Sequence, residues 1–247
     1  MEKLFFQIKS LSLTFLRFFY SLLSGGESCV ICGNPSYVIP LCKNCREHFL
    51  SRNFLELSRC RCCGKELISE SELCMECREK PVLKSTDKML PLFSYRLWNK
   101  ELLFLWKMQG IRSLSFFFAK IIAKALKELN VEYIVPVPPR PGKIKKNGWD
   151  QIDELSKILK IKYGFKVLKL LERTSVVQQK KLNREERLNS IQSAYIFSNK
   201  ITNQLPQKVC IIDDVCTTGS TLETCASIIK NNTKIPQVYA MTLFAVD

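Results

Sequence analysis

A chain of 247 residues with 46% hydrophobic content carries enough apolar material for one α/β domain and a smaller module. Its formal charge of +15, from 38 Lys and Arg against 23 Asp and Glu, suits an anionic substrate or a nucleic-acid backbone. Twelve cysteines would fit a secreted disulfide scaffold, but no export signal accompanies them, so a reducing, cytoplasmic setting is expected.

Residues 1–25 are rich in Phe and Leu, yet Lys3, Lys9 and Arg17 leave no uncharged run of the roughly 18 residues that a membrane span needs. Leu4, Ile8, Leu11, Phe15, Phe18 and Leu22 recur at steps of three and four, which predicts one amphipathic helix. That helix packs on the chain itself or on a partner, or lies on the inner face of the membrane. Gly25-Gly26 ends it.

Residues 26–80 hold eight cysteines in four CxxC pairs: Cys29/Cys32, Cys42/Cys45, Cys60/Cys63 and Cys74/Cys77. Each pair places two sulfurs on a tight knuckle, and two knuckles supply the S4 shell that Zn2+ prefers. Consecutive pairing gives a double zinc ribbon with two structural Zn2+, although spacing alone also permits a cross-braced arrangement. Cys62 is a spare that could replace a ligand; CxxC spacing favours Cys60 and Cys63. Two Zn2+ on eight thiolates would lower the formal charge to +11. His48 reads as a surface residue, because the cysteine quartets are complete.

The third segment, 81–247, carries a net +12 over residues 91–247, against +3 before it. Leu102 to Trp106 and Phe116 to Leu129 read as helices. Tyr133 to Val137 reads as a strand halted by prolines, followed by the loop of Arg140, Lys143, Lys145 and Lys146. Asn147-Gly148-Trp149-Asp150-Gln151 opens a helix over 152–162, with Asp150 as N-cap. Strands near 166–170, 209–212 and 238–244 complete an alternating order, which predicts a parallel sheet with flanking helices. Between them, Arg173-Thr174, Gln179, Leu182, Arg187 and Tyr195 mark a polar segment of the kind that forms active-site lids.

The most informative run is Val209 to Thr221. Four apolar residues form a buried strand, Asp213 and Asp214 stand at its carboxyl end, and Thr217, Thr218, Gly219, Ser220 and Thr221 follow. Adjacent carboxylates can accept hydrogen bonds from two neighbouring sugar hydroxyls. A small-residue loop at a helix start exposes backbone N–H groups to an anion. A plain Asp-Asp turn before a capped helix is the alternative, and it requires neither the paired acids nor five small residues in succession.

This run resembles the phosphoribosyl-diphosphate (PRPP) loop of type I phosphoribosyltransferases. Together with the cysteine knuckles, the Val135-Pro136-Val137-Pro138 strand end and the Gly148-Trp149-Asp150-Gln151 element, it makes nearly the whole chain similar to the ComF family of competence-associated proteins. Members usually read Arg-Gly-Phe-Asn-Gln where this chain has Asn147 to Gln151, so one cation is lost and Asp replaces Asn. Ser190 stands where Asn is usual.

The resemblance implies a type I phosphoribosyltransferase-like domain at 81–247 behind the double zinc ribbon. It implies that Asp213 and Asp214 hold the ribose hydroxyls, that Thr217 to Thr221 cradle the 5′-phosphate, and that Arg140 with nearby lysines meets the pyrophosphate with Mg2+. The expected chemistry is departure of pyrophosphate from an oxocarbenium-like ribose, with an acceptor that no motif identifies. The alternative role is a non-catalytic accessory, with single-stranded DNA and a competence helicase as partners during DNA uptake. A zinc-ribbon adaptor with a degenerate α/β domain is the third reading.

Overall fold

The computed structural model describes residues 15, 19, 27–37, 39–69, 71–81, 83–174, 194–198 and 205–246. Two short strands, β1 (Glu27–Ser28) and β2 (Pro35–Ser36), pair antiparallel around the first knuckle, and helices α1 (Lys43–Ser51) and α2 (Met75–Glu79) start directly after Cys42 and Cys74. The second module opens with β3 (Lys88–Ser94) and two helices, α3 (Leu97–Lys107) and α4 (Ser113–Glu128). Then come β4 (Tyr133–Pro136), the short α5 (Lys143–Asn147), α6 (Gln151–Tyr163) and β5 (Lys166–Val167). A two-stranded ribbon of β6 (Leu171–Arg173) and β7 (Tyr195–Phe197) precedes β8 (Lys208–Cys216), α7 (Ser220–Asn232) and β9 (Gln237–Ala245).

The expected parallel sheet is present, with five strands in the order β3-β9-β8-β4-β5 and every pairing parallel. Both faces are buried, which is why Val209–Ile212 of β8 and Val238–Met241 of β9 read as continuous apolar runs rather than alternating ones. Cys210, Ile212, Met241 and Leu243 face a core with Trp106, Phe118, Ile122 and Ile158 of α3, α4 and α6. Val209, Ile211, Val238 and Ala240 face the other core, formed with Leu222, Ala226 and Ile229 of α7 and with Tyr195 of the ribbon. Each fully buried Leu, Ile or Phe contributes about 1.5–3 kcal/mol relative to exposure, so α4 is held chiefly by its inward face.

Several sequence expectations are sharpened. The stretch expected as one strand near 166–170 is divided, with Lys166–Val167 in the main sheet and Leu171–Arg173 in the separate ribbon. The basic segment expected as a loop contains a helical turn, α5, bounded by Gly142 and Gly148, both left-handed at φ 76°. Strand β3 carries Pro91 and sits at the sheet edge, where a missing N–H is tolerated. The cysteine-rich segment covers that edge: Met89 N donates to Arg61 O at 2.8 Å, and a Cβ on Gly64 would lie 2.1 Å from Pro91 Cδ.

Of the amphipathic helix expected over residues 1–25, Phe15 and Phe19 are described. Both are helical and exposed, with rings 5.0 Å apart. The rest of that expectation lies outside the described residues, as do Gln179, Leu182, Arg187 and Ser190. Among the described residues no helix is long and apolar enough to cross a membrane.

Candidate functional site

The crevice of an open parallel sheet lies where neighbouring strands send their chains in opposite directions. Here that point is between β4 and β8: the chain leaving β4 runs through α5 and α6 to β5 on one side, and the chain leaving β8 runs through α7 to β9 on the other. The Pro138–Gly142 and Thr217–Gly219 turns therefore flank one opening.

Asp213 and Asp214 occupy β8 itself, because the strand runs on to Cys216 and pairs Asp213 with Thr242 and Val215 with Phe244. Strand alternation sends the two carboxylates to opposite faces. Asp214 Oδ2 accepts from Lys107 Nζ of α3 at 2.6 Å, while the charge of Asp213 is felt by Tyr195, Cys216 and Cys225 on the α7 side. The Asp214 N–H donates to Asp213 Oδ1 at 2.8 Å. Burial and then the charge of Asp214 push the Asp213 carboxyl up to about 7; Lys107 and the Asp214 N–H oppose that shift, and Asp150 adds to it. Thr242, fully buried beside Asp213 in register, has a hydroxyl without a hydrogen-bond partner among the described residues.

The small-residue loop follows. Thr217 and Thr218 are exposed, Gly219 is buried with φ 74°, and Gly219 O accepts the first α-helical N–H, that of Glu223, at 2.9 Å. Thr218 and Ser220 hydroxyls lie 2.9 Å apart. Arg173 stacks on Tyr195 at 5.1 Å, so the β6–β7 ribbon frames one wall of the opening.

On the other wall, Asp150 caps α6: its Oδ1 accepts from Ile152 N and Asp153 N at 3.0 Å, as expected for an N-cap, and its Oδ2 accepts from Lys143 Nζ at 2.5 Å. Lys143 also donates to Gln151 Oε1 at 2.7 Å, and Gln151 Nε2 donates to Lys107 O at 3.3 Å. Lys143 is thus committed to the Asp150–Gln151 element, whereas Arg140 is exposed and makes no side-chain bond among the described residues. Lys107 was not singled out by sequence. It lies 107 positions from Asp214 at the end of an unremarkable helix, and only the basic residue in that last turn hinted at a role.

The eight CxxC cysteines gather into two quartets, Cys29/Cys32/Cys42/Cys45 and Cys60/Cys63/Cys74/Cys77, with all sulfurs of a quartet within 4.8 Å of one another. Pairing of consecutive knuckles is therefore what the fold adopts. Sulfur separations of 3.6 Å for Cys32–Cys42 and Cys32–Cys45, and 3.7 Å for Cys63–Cys74, match the edge of a tetrahedron with metal bonds of about 2.3 Å, and exceed a disulfide length of about 2.0 Å. Burial raises the Cys29 and Cys60 thiols, but backbone N–H donors outweigh it and bring them down to about 6 and about 7. Such donor sets fit two Zn2+ ions. Cys62 stands apart: buried, it donates to Leu83 O at 3.0 Å and accepts from Leu83 N at 3.1 Å, so it locks the chain behind the knuckle. His48 is exposed at the end of α1.

No family model matches the chain. It is 28% identical over 131 residues to competence protein ComFC of Streptococcus pneumoniae, an overlap of 53% of the chain and 56% of that relative. It is 26% identical over 217 residues to competence protein F of Haemophilus influenzae, covering 82% of the chain and 90% of that relative. The match thus spans little more than half the length of the Streptococcus protein.

Proposed function

Taking membership of the ComF family, which both competence proteins support, as the premise, we propose that this chain binds a phosphoribosyl ligand of the PRPP type and serves in DNA uptake. The observation that carries the ligand is the β8–α7 junction. Two carboxylates at a sheet switch point lead into a left-handed buried glycine and a hydroxyl-rich helix start. Asp213 and Asp214 would accept the ribose hydroxyls, and the backbone and hydroxyls of Thr217 to Thr221 would hold the 5′-phosphate. Arg140, across the opening at the end of β4, would meet the pyrophosphate, with Mg2+ supplying charge neutralisation on its oxygens.

Turnover in this reading is loss of pyrophosphate from the anomeric carbon. The protein's part is to hold the ring and leaving group while positive charge develops. Calorimetric titration of the zinc-loaded chain with PRPP and Mg2+ tests the binding. The double variant Asp213→Asn/Asp214→Asn is expected to lose at least tenfold in affinity, each lost charge-assisted hydrogen bond being worth about 1.5–3 kcal/mol. Unchanged affinity would remove the carboxylates from the site. Mg-dependent release of pyrophosphate in the presence of bases or oligonucleotides separates an enzyme from a ligand-gated accessory.

The accessory reading, in which single-stranded DNA and a helicase are the partners, comes from the likeness to competence proteins, and the +12 charge of residues 91–247 is compatible with a nucleic-acid backbone. Its signature is salt dependence. Oligonucleotide affinity should fall steeply between low and moderate salt if phosphates are contacted, and a flat response argues against DNA as a partner.

A further inference from the structure

Among the described residues, Lys107 is the one ammonium that reaches the carboxylate pair from outside the segments already assigned to the ligand. Its Nζ lies 2.6 Å from Asp214 Oδ2, and its backbone oxygen is held by Gln151 Nε2 at 3.3 Å. An ammonium carries three donors and Asp214 takes one of them. The Lys107 side chain keeps 37% of its exposure while Asp214 keeps 14%, so the lysine is the more solvent-accessible partner of the pair.

A bland account exists: a basic residue in the last turn of α3, favoured by the helix dipole, ties that helix to β8. That tie is redundant. Leu102, Leu103 and Trp106 of α3 are already buried in the core, and Trp106 Nε1 donates to Ser115 of α4 at 2.8 Å. Among the described residues the acids here outnumber the cations paired with them, three to two. Asp150 has Lys143 and Asp214 has Lys107, which leaves Asp213 as the carboxylate without a cation of its own among the described residues.

We propose, resting on the phosphoribosyl reading above, that Lys107 is a ligand-binding residue. Its ammonium bridges Asp214 and an anionic oxygen of the phosphoribosyl ligand, so that the acid that takes a sugar hydroxyl and the cation that takes a phosphate oxygen act as one unit. The Gln151 amide, by holding the Lys107 carbonyl, sets where that unit sits relative to the Asp150 element. Among the described residues this links α3 to the opening, which otherwise draws its side chains from β4–α6, β6–β7 and β8–α7.

The test uses the full zinc-loaded chain with PRPP and Mg2+ as the probe. Lys107→Met is expected to weaken binding about tenfold, the worth of one charge-assisted hydrogen bond, and Lys107→Arg to recover most of it. Wild-type binding that is lost in Asp213→Asn but stays within twofold in a folded Lys107→Met chain overturns this inference and leaves its premise standing. A wild-type chain that binds no PRPP overturns both.

A second readout needs no loss-of-charge variant. In the reductively 13C-methylated wild-type chain, the Lys107 methyl resonance is identified by its absence in Lys107→Arg. Saturating PRPP should shift it, and an unmoved resonance in a chain that binds PRPP overturns the inference.

Discussion

Asp213 is a carboxylate held against its own ionisation by burial and by the negative charges of Asp214 and Asp150. Its acidity in the folded chain, about 7, lies above the ordinary value of 3.8. Between those values the unfolded chain has released this proton and the native chain keeps it, so stability falls as pH rises through that window. Above about pH 7 the full cost of the buried charge is carried. Asp213→Asn removes the titration and keeps an acceptor for the Asp214 N–H. The variant should therefore be more stable than the wild type at pH 8 in zinc-containing buffer, with the difference shrinking steadily toward pH 5. Urea melts at several pH values check this; a gap equal at pH 5 and pH 8 would mean an ordinary aspartate. A site that is unstable alone and relieved by a ligand's hydroxyls is what a binding residue at this position should look like.

At the scale of elements, the junction between β8 and α7 depends on Gly219, buried and left-handed at φ 74°. A side chain there costs about 1–2 kcal/mol of backbone strain and also occupies the space through which an anion would approach the helix start. Gly164, left-handed at φ 80° with open space around it at the far end of α6, separates the two effects. Both Gly→Ala variants should lose comparable stability in urea melts, while only Gly219→Ala should also lose affinity for PRPP. Equal affinity in the two would reduce Gly219 to a structural cap.

Much of this junction was legible in the sequence, because a strand, paired acids and a small-residue turn are local. The four apolar residues understated β8, however. The strand continues through Asp213 to Cys216, since β9 offers hydrogen-bonding partners on that side whatever the side chains are. Strand β3 was missed for a related reason: Pro91 argues against a central strand, and only topology reveals that β3 is an edge. Lys107 was illegible because its partner lies on another element and nothing local distinguishes it from a helix-end lysine.

At the scale of the whole molecule, the cysteine-rich segment is part of the same cores as the sheet. Cys29, Leu41, Cys42, Phe49 and Phe54 belong to the core that contains Phe93, Phe117 and Phe118, and the ring of Phe49 packs edge-on against Phe93 at 5.2 Å and against Phe117 at 6.0 Å. Cys60, Cys62, Cys74, Cys77 and Leu83 belong to the opposite core with Val135, Ile211 and Leu222. Each quartet thus caps a different face of one sheet. Phe54 N and Lys124 Nζ add polar ties, to Glu128 and to the Leu50 and Arg52 carbonyls, which fasten the first ribbon to α4. Because binding energy at a structural Zn2+ site is folding energy, its loss should spread through these shared contacts. Chelation is therefore expected to lower the midpoint of the sheet domain itself by many degrees, in a single transition seen alike by far-ultraviolet circular dichroism and by the fluorescence of Trp106 and Trp149. The opposite outcome is equally readable: a sheet that melts at its original temperature after zinc is stripped would make the ribbons an independent appendage. If the transitions coincide, metal content, sheet stability and the carboxylate site at the end of β8 stand or fall together.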